Sequence, residues 1–236
     1  MSTIGVIGDL HAPFIHPMYQ RFVSDTFESW GVDKVHFIGD IVDAHALGFW
    51  DHDPNGRSAS DEASLAGQDV DSWYSLFPEA TVSIGNHDER HYRVARKAGI
   101  PDSYLKGYRT IWGTPGWDWA MSHRHEGVLY EHGTGTSGKD GAFNRAMQKR
   151  ISLVMGHIHS YAGVKYHTSD FSRIFAIQVG CGIDLRAYAF SYGMPFPTRP
   201  VLGCGIIQDG ESAYFEPMPC GVKETYHRSR SGKRNK

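Results

Sequence analysis

Short apolar runs that stop at a glycine followed by polar residues recur along the chain. The first, Thr3 to Ile7 in TIGVIGDLH, reads as a buried strand ending in Gly-Asp. In HPMYQRFVSDTFESWG, residues Met18, Phe22, Phe27 and Trp30 fall at near-helical spacing, and Gly31 supplies a stop. DKVHFIGDIVD predicts a second strand with the same Gly-Asp ending. A polar, Gly/Ser-rich loop from Asp51 to Ser60 leads into a helix over Asp61 to Leu76, which Phe77-Pro78 ends; ATVSIGN predicts a third strand. Strand-helix-strand-helix-strand is the signature of an α/β sheet with parallel crossovers.

The second half is less regular. GTPGWDWAMSHRHEGVLYEHG predicts two strands joined by a turn near Glu126-Gly127, followed by the loop GTGTSGKDG and a helix over Ala142 to Arg150. ISLVMGHIHS repeats the earlier pattern of apolar strand, glycine and polar residues. RIFAIQVG follows, and VLGCGIIQDGESAYFEPM carries an Asp209-Gly210 hairpin turn between alternating residues. HRSRSGKRNK is basic and lacks apolar residues, so residues 228–236 are expected to form a disordered tail on one domain spanning 1–227. No internal repeat is present.

With 236 residues and 40% hydrophobic content, the chain can bury a sizeable core, which excludes wholesale disorder. A formal net charge of −2 gives no strong field towards nucleic acid or membrane. The 14 histidines stand out, because His is the commonest metal ligand and the usual proton carrier near neutral pH. Cys181, Cys204 and Cys220 lie too far apart for a zinc ribbon and are odd in number, so they read as reduced thiols. No run approaches the roughly 20 apolar residues of a membrane span, and nothing resembles a signal peptide. A soluble, cytoplasmic protein with no membrane partner is expected.

Ligand sites in open α/β sheets lie at the carboxyl ends of the strands. Five strand ends here carry polar clusters: Asp9 with His11; Asp40 with Asp43; Asn86, His87 and Asp88; His132; and His157 with His159. Taken singly, Gly-Asp or Gly-Asn is turn chemistry, and a lone His is an ordinary core or surface residue. Jointly they form a mixed oxygen and nitrogen donor set suited to a pair of borderline divalent metals such as Mn, Fe, Zn or Ni. D-x-H and G-H-x-H each place two donors on one side of an extended segment.

The ordered set GDLH, GDIVD, GNHD, an apolar strand then HG, and GHIH resembles the calcineurin-like metallophosphoesterases. The motifs run from Asp9 to His159, and the β-rich segment downstream suits the same fold, so the resemblance covers nearly the whole chain. It implies an α/β fold, a two-layer mixed β-sandwich flanked by helices, with two divalent metal ions (manganese being the one expected to serve in vitro). By the same resemblance Asp9, His11 and His159 hold one metal, Asn86, His132 and His157 hold the other, and Asp40 bridges both. The implied reaction is in-line attack of a metal-bridging hydroxide on a phosphate ester. His87 is then the general acid, and Asp43 orients its imidazole.

Two places depart from or blur that pattern. SHRHEGVLYEHG offers His123, His125 and His132 for the fourth motif; His132 is preferred because it follows an apolar run and precedes Gly, with His123 next and His125 read as exposed. The protein Ser/Thr phosphatases of the superfamily carry an Arg after the second motif, where this chain has Ala44. Arg90 is the candidate substrate-binding replacement, with His91 beside it, although both also read as surface residues, as do His45 and His52. The substrate is expected to be a phosphomonoester or phosphodiester. Alternatives are a nuclease acting on DNA or RNA, or a non-catalytic binding module of the same fold. The aromatic stretch RAYAFSYGMPFPTRP could line a cleft or stack bases, and the basic tail could contact nucleic-acid phosphates.

Overall fold

Strand β1 (Thr3–Ile7) is buried along its length and pairs on both sides, which places it inside a sheet. The computed structural model describes residues 2–48, 56–187 and 199–219. On one side of β1 lie β2 (Lys34–Phe37), β3 (Ala80–Ser83) and β4 (Trp117–Ala120), all parallel to their neighbours. On the other side, β10 (Gly203–Gln208) and β11 (Ser212–Pro217) add antiparallel, giving the order β11-β10-β1-β2-β3-β4. The crossovers are α1 (Tyr19–Trp30), α2 (Ala59–Leu76), and α3 (Arg90–Lys97) with the short α4 (Tyr108–Ile111). Parallel strands must end on the same rim, so the tails of β1, β2 and β3 converge.

A second sheet has the order β5-β6-β7-β9-β8. It comprises β5 (Ser122–His125), β6 (Val128–Glu131), β7 (Ser152–Met155), β8 (Gly163–Thr168) and β9 (Arg173–Gln178). β6 and β7 are parallel and joined by α5 (Gly141–Lys149), so their tails point to a common rim as well.

The two sheets pack face to face. Ile4 and Val6 of β1 and Ile207 of β10 meet Val128 and Tyr130 of β6, Val154 of β7 and Ile177 of β9. The opposite face of the first sheet is covered by α1 and α2 through Tyr19, Val23, Phe27, Val70 and Trp73. α5 covers the second sheet, with Ala142 and Ala146 against Leu129, Leu153 and Ala176. Full burial of each such Val, Leu or Ile is worth about 1.5–3 kcal/mol, so this three-interface core dominates the fold. The expected two-layer sandwich flanked by helices is what forms.

Four local readings need correction. The segment expected to be one hairpin holds three strands: the chain leaves the first sheet at Met121, so β4 and β5 belong to different sheets. β8 and α3 were not foreseen. In α1 the core stripe is Tyr19, Val23 and Phe27, while Met18 lies half exposed. Tyr19 suits the core because its hydroxyl donates to the Gly203 carbonyl at 2.7 Å and accepts from Gly8 N–H at 3.1 Å.

Other readings hold. Gly31 caps α1 at φ 61, and the Asp209-Gly210 hairpin joins β10 to β11 with both residues at positive φ. Cys181 and Cys204 are both buried. Among the described residues, no helix is long and apolar enough to cross a membrane. His52, Cys220, most of the aromatic stretch and the basic tail lie outside the described residues.

Candidate metal centre

All five clusters expected from the sequence come together where the converging strand tails of the two sheets meet. Asp9 and His11 follow β1, Asp40 and Asp43 follow β2, Asn86 and His87 follow β3, His132 follows β6, and His157 and His159 follow β7. Donor atoms of Asp9, His11 and His159 lie within 4.8 Å of one another, as do those of Asp40, His132 and His157. The Asp40 carboxylate stands between the two sets. Its Oδ2 is 3.1 Å from His132 Nε2 and 3.6 Å from His11 Nε2. Asn86 Oδ1 joins the second set, 3.2 Å from His132 Nε2.

The glycine before two of these clusters is required by crowding. A Cβ on Gly156 would lie 2.2 Å from Asp9 Oδ1, and one on Gly85 would lie 2.1 Å from Asp40 Oδ1. Backbone N–H groups of the same loops then fix the carboxylates: His157 N–H donates to Asp9 Oδ2 and His87 N–H to Asp40 Oδ1, both at 2.8 Å.

Hydrogen bonds also select the imidazole tautomers. His132 Nδ1–H donates to the Ile38 carbonyl at 3.0 Å, and His11 Nδ1–H to Asp43 Oδ1 at 2.7 Å. Each ring thereby directs Nε2 into the cluster, the nitrogen a metal would take once it is free of a proton. These nitrogens face other imidazole nitrogens: His11 Nε2 is 3.2 Å from His159 Nε2, and His132 Nε2 is 3.2 Å from His157 Nδ1. Such a pair needs a proton or a cation between its nitrogens, and His159 Nε2, also 2.9 Å from Asp9 Oδ2, carries that proton when no metal is bound. Asp9 Oδ1 is buried with no hydrogen-bond partner among the described residues, a cost that a cation would remove. The donor set therefore fits a pair of divalent metals.

Electrostatics agree. Burial opposes charge on Asp40 and Asp9, yet the surrounding histidines, His132 foremost, hold both carboxyls below the usual range. Burial also opposes charge on His132, but Asp40 and Asp9 outweigh it and push the imidazole up to about 10. Buried carboxylates thus draw in positive charge at this point. His11, by contrast, is driven down to about 4 by burial and by His87, so it is a neutral donor.

His87 belongs to the same cluster but has different partners. Its Nδ1 lies 2.9 Å from Asp43 Oδ1 and 3.0 Å from the Asp43 carbonyl, while Nε2 is 4.0 Å from Asp40 Oδ2. Burial disfavours its imidazolium; Asp40 and Asp43 more than offset that, so its pKa is raised. A ring held at Nδ1 and aimed at the cluster through Nε2 can carry a proton towards a bound group.

Several residues lie elsewhere than the sequence indicated. Arg90 is buried rather than on the surface: Nη1 donates to the Asp43 carbonyl at 2.8 Å, and Nη2 is 3.3 Å from His87 Nε2. His45 is buried too, and His91 is partly buried. His123 is not at the centre; its Nε2 lies 3.1 Å from the Val82 carbonyl, and its ring packs on His36. His125 is partly buried beside it rather than exposed. Asp88 had no assigned role, yet it accepts from Gly85 N–H at 2.9 Å and Val42 N–H at 3.2 Å, tying the third loop to the second. Burial, then Asp40, push its carboxyl up to about 7. The only signal in the sequence was the carboxylate closing GNHD.

Comparison with known proteins follows the same lines. A metallophosphoesterase from Sphaerobacter thermophilus shares the fold at a TM-score of 0.50, with 16% identity over 100% of this chain and 95% of that one. Vacuolar Protein Sorting 29 from Cryptosporidium parvum is similar at 0.44, with 11% identity over 93% and 98%. Pseudomonas putida nuclease MPE is similar at 0.36, with 10% identity over 90% and 87%. No curated protein matches the chain. The family model described as calcineurin-like phosphoesterase matches residues 2–187, and the chain belongs to that family.

Proposed function

We propose that this calcineurin-like phosphoesterase hydrolyses phosphate esters at a centre holding two divalent cations, with His87 as general acid. The observation that carries the reading is the separation of roles within one cluster. The donors of Asp9, His11 and His159, and those of Asp40, Asn86, His132 and His157, face one another, while His87, which also comes within 4.8 Å of donor atoms of His11 and Asp40, is held at Nδ1 by Asp43. Asp40 would be shared between the two cations. When bound, such a pair supplies an acidified water nucleophile and stabilises the attacking and leaving oxygens of an in-line displacement.

The protein side of the reaction follows from the hydrogen bonds. Asp43 accepts the Nδ1 proton of His87 and fixes the ring plane. The raised pKa favours a second proton on Nε2, which would pass to the departing alkoxide once a substrate phosphate engages Arg90. Arg90 stands against the same nitrogen, placed to hold a phosphate oxygen beside the donor, and so takes the part for which Ala44 has no side chain. Nucleotides and nucleic acids are among the esters such a site would accept. The buried free thiol of Cys204 supports a reducing, cytoplasmic setting.

Hydrolysis of p-nitrophenyl phosphate, its bis-ester and a cyclic nucleotide, each with Mn, Ni, Zn and Mg, tests the proposal. Turnover of at least one ester that depends on added metal and disappears with chelator is expected. No turnover of any ester with any of the four metals would sink it.

A further inference from the structure

A cavity of about 330 Å³ opens beside the metal centre, large enough for a small-molecule substituent. His157 and His159, one from each donor set, line one part of it. Thr136 and Ser137 from the loop between β6 and α5 supply hydroxyl groups, and Ile183 and Leu185 add apolar surface. Arg199 completes the lining, is exposed, and has no ion-pair partner among the described residues.

The hydroxyl-bearing side of the cavity is braced from behind. Arg145 Nη1 donates to Thr136 Oγ1 at 3.1 Å, and Arg145 Nε pairs with Glu131, which also accepts from Lys149 Nζ at 3.0 Å. Since Thr136 Oγ1 accepts from Arg145, its own O–H remains to donate. A group entering from the metals therefore meets an apolar surface suited to a sugar or base, the hydroxyls of Thr136 and Ser137, and a guanidinium with no ion-pair partner among the described residues. A guanidinium matches phosphate by paired, charge-assisted hydrogen bonds.

The geometry points to a second anion subsite, formed by Arg199 with Thr136 and Ser137. It takes a phosphate carried on the organic part of the substrate while the scissile phosphate sits at the metals. The favoured substrate class is then a nucleotide bearing two phosphates rather than a simple monoester. This deepens the proposed function and rests on its placement of the scissile phosphate.

Binding tests it without relying on turnover. Calorimetric titration of the manganese-loaded full chain with thymidine 3',5'-bisphosphate, and with the 5'- and 3'-monophosphates, should show the bisphosphate about tenfold tighter or more, the usual return on one charge-assisted pair. Arg199→Gln should cut that preference to about twofold or less, while leaving monophosphate affinity and p-nitrophenyl phosphate hydrolysis unchanged, as befits an exposed side chain outside the donor set. A wild-type chain without the preference, or a variant that keeps it, overturns the subsite. Hydrolysis with no bisphosphate preference sinks the subsite alone; absence of both metal-dependent hydrolysis and nucleotide binding sinks the phosphoesterase reading with it.

Discussion

His87 Nδ1 lies 2.9 Å from Asp43 Oδ1, the same oxygen that lies 2.7 Å from His11 Nδ1. One buried carboxylate thus orients both a proposed metal ligand and the proposed proton donor. With His87 removed, the donor sets remain intact but the leaving group has no acid. His87→Ala should keep its metal and lose about 10²–10⁴-fold in kcat for alkyl phosphate esters. The loss should be much smaller for p-nitrophenyl esters, whose leaving group needs no proton. Equal losses for the two ester types would contradict the acid role.

Gly156 is predicted to be intolerant of even one methyl group. The added Cβ would meet Asp9 Oδ1 at 2.2 Å and Ile38 Cγ2 at 2.7 Å, so the carboxylate must swing away from His159. Gly156→Ala should weaken metal retention on dialysis and cost about 1–3 kcal/mol of unfolding stability. Gly67 provides the control, because a Cβ there, inside α2, meets nothing within 4 Å. Gly67→Ala should retain metal and stabilise the protein by up to about 1 kcal/mol in denaturant titrations.

A third prediction concerns acid stability away from the centre. His36 is fully buried, its nitrogens 2.6 Å from Thr81 Oγ1 and 2.9 Å from Ser83 Oγ. Burial, then His123 and His125, hold its pKa well below the ordinary value. A group with a depressed folded-state pKa favours folding fully above its unfolded value, near 6.5, and loses that contribution as pH falls towards the folded one. Each pH unit below about 6.5 can cost up to roughly 1.4 kcal/mol. Urea midpoints at pH 7.5 and 5.0 should therefore fall less for His36→Gln, which cannot titrate, than for the wild type. Parallel falls would remove His36 as a source of acid sensitivity.

Much of the centre was legible because its chemistry is tied to strand ends. An apolar run that ends beside a glycine and polar residues is a local pattern, and it marks Asp9, His11, Asp40, Asp43, Asn86, His87, Asp88, His132, His157 and His159; only the family resemblance sorts the proposed ligands among them. β1 and the Asp209-Gly210 hairpin were legible for the same reason. What escaped depends on tertiary partners. Arg90 reads as a surface cation, yet it is buried against the Asp43 carbonyl and His87, 47 and 3 residues away in sequence. α3, RHYRVARK, carries only Tyr92, Val94 and Ala95 as apolar positions among five basic residues, so its sequence reads as a polar loop. β4 and β5 alternate alike, so nothing in their pattern marks Met121 as the crossing between sheets. Tyr19 looked less apolar than Met18, yet its hydroxyl is satisfied inside the core.

The central claim is a two-cation centre shared through Asp40, and metal stoichiometry tests it most directly. Chelator-stripped protein, titrated with manganese and dialysed, should retain two equivalents by elemental analysis, and hydrolysis should rise with that occupancy. Asp40→Asn keeps the shape but removes the charge that faces both donor sets, so it should retain one equivalent or fewer and lose nearly all activity. Two equivalents retained by Asp40→Asn, or fewer than two in a fully active wild type, would contradict the shared dinuclear centre.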